Sequence, residues 1–155
     1  MLIDGVVVAL APPSQAHSRI AGNTGYEIRR RVRPPWTVLG GAGLRLAATT
    51  CVLADLALTC EPADTGRLIS APVLIVEVLS PSTIKDDLGV KVPGDQELPS
   101  LGEIWAIDSE QRAVRVWRRI EEGWLQTLPI RAGAFRSDVL QAEIALDELY
   151  ATAGR

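Results

Sequence analysis

Short apolar runs, separated by proline, glycine and polar turns, recur along the chain and predict several strands with few helices. Residues 2–10 predict a first strand. Ser14 stands where it would cap a helix over residues 15–32, which should end before Pro34-Pro35. The start of the chain therefore predicts a strand followed by one long helix.

The middle of the chain also predicts strands, followed by one short helix. The stretch "WTVLGGAGLRLAATTCVLADLALTC" alternates apolar runs with glycines and predicts a hairpin with a Gly-rich turn, followed by a strand over residues 51–59. Residues 72–79 predict a buried strand. Ser82 or Thr83 is placed to cap a short helix, which Pro93-Gly94 should end early.

The last third predicts an antiparallel arrangement. The runs "GEIWAIDS", "AVRVWRR" and "GWLQTLPI" predict three sequential strands, which form a meander with turns at Ser109-Glu110 and Glu122-Gly123. The run "IALDELYATA" predicts a terminal helix or helical turn. The order of elements indicates an α+β or mixed α/β domain.

Composition limits the classes of protein that need considering. The 155 residues, of which 47% are apolar, predict a single folded domain over residues 1–155. No apolar stretch is long enough to span a bilayer, and a net charge of −3 excludes an overall basic, nucleic-acid-coating protein. Two cysteines and one histidine make neither a disulfide framework nor a structural zinc site, and we expect a cytoplasmic protein.

Glu77 interrupts the apolar strand "VLIVEVL" and is the first candidate for chemistry. A buried carboxylate without a partner is costly. Glu77 therefore needs a lysine or arginine partner, a shifted pKa, or a metal ion.

Asp55 repeats this arrangement in "CVLADLALTC", 22 residues earlier. Either acid alone is explained by a strand end or a sheet edge. If both lie on neighbouring strands and face the same way, they are close enough to share one hard divalent cation with oxygen ligands.

Lys91 lies four residues after Asp87, on one face of the predicted short helix. Two interpretations stay open. The pair is a surface ion pair that stabilises the helix by about 0.3–0.5 kcal/mol, or Lys91 extends over a metal site on the strands and orients a water or a phosphate.

Five segments occur together in the order and spacing of a known family. They are "LIDGVVVALAPPSQAH", "ADLAL", "APVLIVEVLSPST", "DLGVK" and "LPSLGEIWAID". The chain resembles the Uma-two family of restriction-endonuclease-like proteins (domain of unknown function 820), a branch of the PD-(D/E)XK nuclease superfamily. The resemblance covers nearly the whole chain and is most specific over residues 72–108. It implies a restriction-endonuclease-like mixed β-sheet core with flanking helices and an antiparallel meander.

The resemblance also implies roles for single residues. It places the metal-binding acids on Asp55 and Glu77, and the catalytic lysine on Lys91 of the following helix. Asp87 matches an acid four residues before that lysine, and His17 matches a histidine near the start of the first helix. A lone histidine on a helix is also explained as an ordinary surface or core residue.

The chain departs from the family pattern at several positions. Met1 and Val6 stand where the family has acids on either side of "LIDG", Leu79 stands at the lysine position of (D/E)XK, and Asp95 replaces a tyrosine after the helical lysine. Since the match begins almost at residue 1, we expect that an N-terminal segment is missing. A helix broken at Pro93-Gly94 would leave Lys91 on a looser turn.

These observations predict a Mg²⁺- or Mn²⁺-dependent endonuclease that hydrolyses DNA and forms a homodimer. One alternative is a catalytically inactive member of the same fold that acts as a binding or dimerisation module. A second is a structural dimer in which Asp55 and Glu77 pair with arginines such as Arg45 or Arg115. The basic run at residues 29–33 would either cap the first helix or hold phosphates.

Overall fold

A nine-stranded mixed sheet forms the centre of the protein, in a computed structural model that describes residues 1–62, 66, 68–81 and 84–151. The strands of this sheet are β1 (Leu2–Ile3), β2 (Val6–Val7), β3 (Thr37–Ala47), β4 (Thr50–Thr59), β5 (Leu68–Ile69), β6 (Leu74–Leu79), β7 (Glu103–Asp108), β8 (Val114–Ile120) and β9 (Gly123–Gln126). A small second sheet pairs β10 (Ala134–Ser137) with β11 (Ala142–Ala145). The helical elements are α1 (Gln15–Arg29), α2 (Ile84–Asp86), a π turn (Asp87–Lys91), α3 (Val92–Gln96) and α4 (Leu146–Leu149). The predicted α/β class is confirmed.

The strands follow the order β2-β1-β4-β6-β7-β8-β9, and β3 pairs with the other edge of β4. β6 and β7 are parallel, whereas β7, β8 and β9 form the antiparallel meander that the sequence predicts. A parallel pair needs a long crossover, and the helical segment between β6 and β7 supplies it. We call that segment, Ile84–Asp86 with the π turn and Val92–Gln96, the site helix.

One edge of β4 is shared by two strands. β1 pairs with β4 at Cys51, and β6 pairs with β4 farther along the chain. The last paired residues on the β6 side are Leu56 and Val76. The next residue in each strand is Asp55 in β4 and Glu77 in β6. Both acids therefore lie where the two strands stop pairing.

Both faces of the sheet are buried, which explains why β6 is apolar at every position except Glu77. Leu74, Val76 and Val78 pack on one face together with α1, α4 and the β10–β11 hairpin. Ile75 and Leu79 pack on the other face, beside the site helix. Because side chains alternate along a strand, Glu77 belongs to the face of Ile75 and Leu79. The strand thus directs its one carboxylate toward the site helix.

The prediction of a single strand over residues 2–10 is wrong. Residues Leu2–Ile3 and Val6–Val7 form a tight hairpin instead. Asp4 and Gly5 adopt φ values of +47° and +80°, the left-handed conformations that an Asp-Gly turn provides. The Asp-Gly dipeptide was the signal for this turn.

The predicted Gly-rich turn is also wrong, because the "GGAG" segment lies inside β3. Its residues pair with β4 on both sides of Gly41, whose φ is +59°. The actual turn falls between Ala47 and Thr50. The strand predicted over residues 51–59 is confirmed as β4, which begins one residue earlier.

Pro93-Gly94 does not end the site helix, contrary to the prediction. The helix runs on to Gln96, and Pro93 is the second residue after the π turn. There the Val92 N–H donates to the carbonyl of Asp87, five residues back. The wider π turn changes which carbonyl groups the backbone N–H groups reach just before Pro93, a residue that has no N–H to donate. The proposed cap at residues 82 and 83 lies outside the described residues.

Gly94 has a packing role within the site helix. A Cβ at this position would lie 2.6 Å from Cδ1 of Leu46 at the end of β3. The absence of a side chain therefore lets the helix approach β3 closely. The glycine that indicated a helix end in the sequence instead allows the helix to pack.

The predicted cap of α1 is confirmed, because the Ser14 side chain accepts a hydrogen bond of 3.1 Å from the His17 N–H. The helix ends at Arg29, three residues before the predicted boundary. The predicted terminal helical turn is α4, and the β10–β11 hairpin before it was not anticipated. Within the described part of the chain, no helix is both long and apolar enough to cross a membrane.

Candidate active site

A cleft of about 500 Å³ opens where β4 and β6 separate. Its walls are the segment before α1, the first turn of α1 and the site helix. The polar side chains that line it include His17, Asp55, Asp87 and Lys91. Four of the five site residues predicted from the sequence thus face one cavity, and the fifth, Glu77, lies beside it in contact with Lys91.

Glu77 is completely buried and does not line the cleft. Its Oε2 lies 2.9 Å from the Nζ of Lys91, and its Oε1 has no hydrogen-bond partner among the described residues. Burial raises the pKa of Glu77 well above its usual range, with smaller increases from Asp55 and other nearby acids, although Lys91 opposes the shift. One of the two carboxylate oxygens of Glu77 is therefore buried without a compensating contact among the described residues.

Lys91 lies at the end of the π turn and is almost fully buried. Its Nζ contacts Oε2 of Glu77 at 2.9 Å and Oδ1 of Asp87 at 2.8 Å. Burial by itself would lower the pKa of Lys91, but the two carboxylates outweigh it and the pKa is raised. The amine is therefore a protonated ammonium, and the interpretation of Lys91 and Asp87 as a surface pair is wrong because both residues are buried.

Asp55 lies at the open side of the cluster, where two contacts orient one carboxylate oxygen. Its Oδ2 accepts a 2.7 Å hydrogen bond from the Val78 N–H and lies 3.3 Å from Nε2 of His17. The hydrogen bond that His17 donates to Asp55 raises the pKa of His17, against an opposing effect of burial. The Val78 contact crosses the gap between β4 and β6 just past their last paired residues.

Asp95 joins this group, although the sequence indicated it only as a departure from the family pattern. It is fully buried, and in the part of the chain that the structure describes neither of its carboxylate oxygens has a hydrogen-bond partner. Burial raises its pKa to about 7, an effect that Lys91 partly opposes. The available signal was the four-residue spacing of Asp87, Lys91 and Asp95, which becomes visible only when Pro93 is accepted within a helix.

Acids outnumber bases in this site. Four carboxyl groups (Asp55, Glu77, Asp87 and Asp95) face one lysine and one histidine. Such a cluster lacks positive charge unless protons or a cation supply it. An excess of buried carboxylates with an unpartnered oxygen is the environment that a hard divalent cation neutralises.

The residues fit an ion such as Mg²⁺, which keeps water ligands, better than an ion that is bound by protein ligands alone. Among the described residues, no three histidine, cysteine or acidic side chains converge as a ready-made ligand set. Mg²⁺ usually keeps several waters and takes one or two carboxylates. Asp55, which faces the cleft, and the free Oε1 of Glu77 meet that smaller requirement.

The structural alternative with arginine partners is not supported. In the described part of the chain, the charged partner of Asp55 is His17 and that of Glu77 is Lys91, with neither Arg45 nor Arg115 in contact. Five other arginines have partners elsewhere: Arg30 and Arg31 with Glu27 and Glu148, Arg112 with Asp147, Arg118 with Glu103, and Arg119 with backbone carbonyls.

The fold class follows from comparison with solved structures. A crystal structure of a "putative nuclease belonging to DUF820" from Anabaena variabilis superimposes with a TM-score of 0.78. The match covers 98% of this chain and 89% of that one, at 15% sequence identity. The fold is therefore a restriction-endonuclease-like mixed α/β fold.

The family is shown by sequence. The model of the Uma-two family, described as "Putative restriction endonuclease", matches residues 1–150, and the chain belongs to this family. The chain is also 28% identical over 130 residues to an uncharacterized protein of Synechocystis sp., a match that covers 79% of this chain and 67% of that protein.

Proposed function

We propose that the protein is a metal-dependent endonuclease that hydrolyses phosphodiester bonds in DNA. The observation that carries the proposal is Glu77: it is fully buried where β4 and β6 separate, with one oxygen on the Lys91 ammonium and the other free. Asp55 lies beside it at the cleft surface. A purely structural glutamate would have both oxygens satisfied.

Asp55 and Glu77 would hold Mg²⁺ or Mn²⁺ through one carboxylate oxygen each. When bound, such an ion lowers the pKa of a coordinated water and stabilises charge on the phosphate. The Val78 N–H and His17 fix the orientation of Asp55 by holding its Oδ2. Its other oxygen stays available on the cleft side.

Lys91 provides the positive charge of the site. Its ammonium is held in the protonated form by Glu77 and Asp87, and it lines the cleft. A donor in this position orients a water or the scissile phosphate, and it stabilises the charge that develops there. Asp87 contacts the lysine ammonium from one turn earlier.

A groove of about 430 Å³ continues from Asp55 along α1 and offers a path for the DNA backbone. Exposed Tyr26 and Arg29 line it, next to the open surface of Gly22. Arginines bind phosphates, and one lost phosphate contact reduces the salt dependence of binding by a slope of about 1. We expect Arg29→Met to weaken DNA binding without affecting the fold, as measured by a salt titration of binding.

The decisive experiment is cleavage of supercoiled DNA in Mn²⁺ or Mg²⁺ by wild type, Glu77→Gln and Glu97→Gln. Glu97 is an exposed carboxylate just after the site helix and serves as the matched control. We expect wild type and the Glu97 variant to cleave and the Glu77 variant to be inactive. Equal cleavage by all three proteins would indicate a contaminating nuclease and contradict the assignment.

The alternative of a catalytically inactive binding module has its own outcome in this assay. It predicts no cleavage by the wild-type protein in either metal, with DNA binding retained. The homodimer and the cytoplasmic location stay predictions. Sedimentation of the purified protein tests the dimer, and fractionation of cells that express the protein tests the location.

A further inference from the structure

The geometry of the site contains a conflict between Glu77 and Lys91. Glu77 is fully buried, whereas Lys91 lines the cleft and covers Oε2 of Glu77. A cation that arrives from the cleft would meet the ammonium on its way to the carboxylate. A cation bound at the free Oε1 of Glu77 would lie beside this ammonium, and the repulsion between the two positive charges would drive Lys91 away from Oε2.

The ammonium cannot leave Glu77 without another counter-charge. Lys91 is almost fully buried, and a buried charge that loses a partner is strongly unfavourable. Asp87 remains in contact at 2.8 Å. A second carboxylate is needed to replace Glu77.

Asp95 has the properties of that second carboxylate. It lies four residues after Lys91, one helical turn away, and so on the same side of the helix. It is completely buried, its two oxygens have no partner, and the charges of Lys91 and Asp87 act on it. A buried polar group without a partner calls for an explanation.

We propose that Asp95 is a positioning residue that receives the Lys91 ammonium when Glu77 binds a cation, a state that the uncharged side chain of Glu77→Gln mimics. Asp87 and Asp95 flank Lys91 by one turn on either side, so the ammonium moves along the helix while it stays paired. The unpartnered state of Asp95 in the free protein is then the cost of keeping this second position ready. The inference rests on the proposed function for its cation, but its thermodynamic test does not.

The test is a mutant cycle followed by thermal unfolding at pH 8 with a chelator present. In the wild-type background, Asp95→Asn removes an unpaired buried charge and should raise Tm by about 2–8 °C. In the Glu77→Gln background Lys91 has turned to Asp95, so the same substitution should lower Tm by a similar amount. Glu97→Gln, the exposed control, should leave Tm nearly unchanged in both backgrounds.

Adding Lys91→Met separates this coupling from simple repulsion between acids. Without the ammonium, Asp95→Asn should again raise Tm, even when Glu77 is glutamine. A rise in both backgrounds that retain Lys91 would overturn the proposal. So would a decrease that persists after Lys91 is removed.

Saturating Ca²⁺, a hard cation with the same preference for oxygen ligands, gives a second route that avoids the double variant. In Ca²⁺ the effect of Asp95→Asn on otherwise wild-type protein should change from a rise in Tm to a decrease. If Ca²⁺ leaves the effect unchanged while the Glu77→Gln arm reverses it, the role of Asp95 stands and the cation site fails. If the Glu77→Gln arm shows no reversal while the wild-type protein cleaves DNA, the role of Asp95 fails and the nuclease stands.

Discussion

Two glutamates with zero exposure lie on the adjacent parallel strands β6 and β7, and their surroundings differ sharply. Glu103 accepts hydrogen bonds at both oxygens: from Arg118 Nε at 3.1 Å, from Ser137 Oγ at 2.6 Å, and from Trp105 Nε1 at 3.3 Å. A backbone N–H from the loop after β10 adds a fourth. Within the described residues, Glu77 accepts a single hydrogen bond, from Lys91.

The difference shows what each carboxylate is for. The partners of Glu103 come from three parts of the chain, so this glutamate joins the β10–β11 hairpin to the sheet. Glu77 has an oxygen without a partner and faces more acids than bases. A buried group that costs stability and is left under-satisfied is expected at functional sites, whereas a satisfied network serves the fold.

The largest effect on stability is expected at Glu103. Glu103→Ala leaves the mostly buried Arg118 with only the more distant and exposed Asp138 as a charged partner among the described residues, and it removes the acceptor for Ser137 and Trp105. It should lower the free energy of unfolding by about 3–5 kcal/mol. Glu122→Ala, at an exposed turn of the meander, should change it by less than about 0.5 kcal/mol. Urea unfolding followed by circular dichroism measures both. Equal stability of the two variants would show that the Glu103 network does not hold the hairpin.

The corresponding change at the other site should affect activity and leave the fold intact. Lys91→Met keeps the apolar stem and removes the charge, and it should reduce DNA cleavage about a hundredfold or more. Lys85→Met, an exposed lysine on the same helix, is the matched control and should cleave normally. Full activity of the Lys91 variant would remove this residue from the reaction.

The difference between the two glutamates was only half visible in the sequence. Glu77 was conspicuous because it interrupts a run of branched apolar residues that both faces of the sheet bury. Glu103, at the start of "EIWAID", gave no such signal. Its partners Ser137 and Arg118 are 34 and 15 residues away, and sequence patterns do not reveal such long-range pairings.

Errors in the predicted fold came from glycine and proline. Pro93 and Gly94 indicated a helix end, but the π turn accommodates the proline and the glycine lets the helix pack closely against Leu46 of β3. Since the predicted helix stopped there, Asp95 was separated from the Lys91 stripe. Residues on strands were easier to place, because side-chain alternation predicts the face of a strand residue even when the ends of the strand are misplaced. A row of residues on one helix face can be predicted only as far as the predicted helix extends.

The metal prediction tests whether Glu77 and Asp55 form a cation site. Mg²⁺ or Mn²⁺ at a hundredfold excess over its dissociation constant should raise the free energy of unfolding by about 2.7 kcal/mol. The Asp55→Asn, Glu77→Gln double variant should lose this response, and it should be more stable than wild type without metal because two crowded carboxylates are gone. Thermal unfolding with and without metal measures both effects. An identical metal response in wild type and the double variant would contradict a shared site.

The smallest expected effect is a pH dependence of stability that distinguishes Asp95 from a buried acid with hydrogen-bond partners. Its pKa is raised to about 7 in the folded protein, against an ordinary value near 3.8. The folded state therefore holds its proton more tightly than the unfolded state, so the carboxyl group lowers stability progressively as pH rises from about 4 to 7. The free energy of unfolding of Asp95→Asn should match that of wild type near pH 4 and exceed it by about 1–3 kcal/mol above pH 7.

Glu97→Gln should show no such divergence from wild type, because its carboxylate is exposed. Urea titrations of the three proteins across this range, with a chelator present, measure the difference. A constant offset between wild type and Asp95→Asn at all pH values would mean that the residue acts through packing, and Asp95 would then belong with Glu103 among the residues that serve the fold.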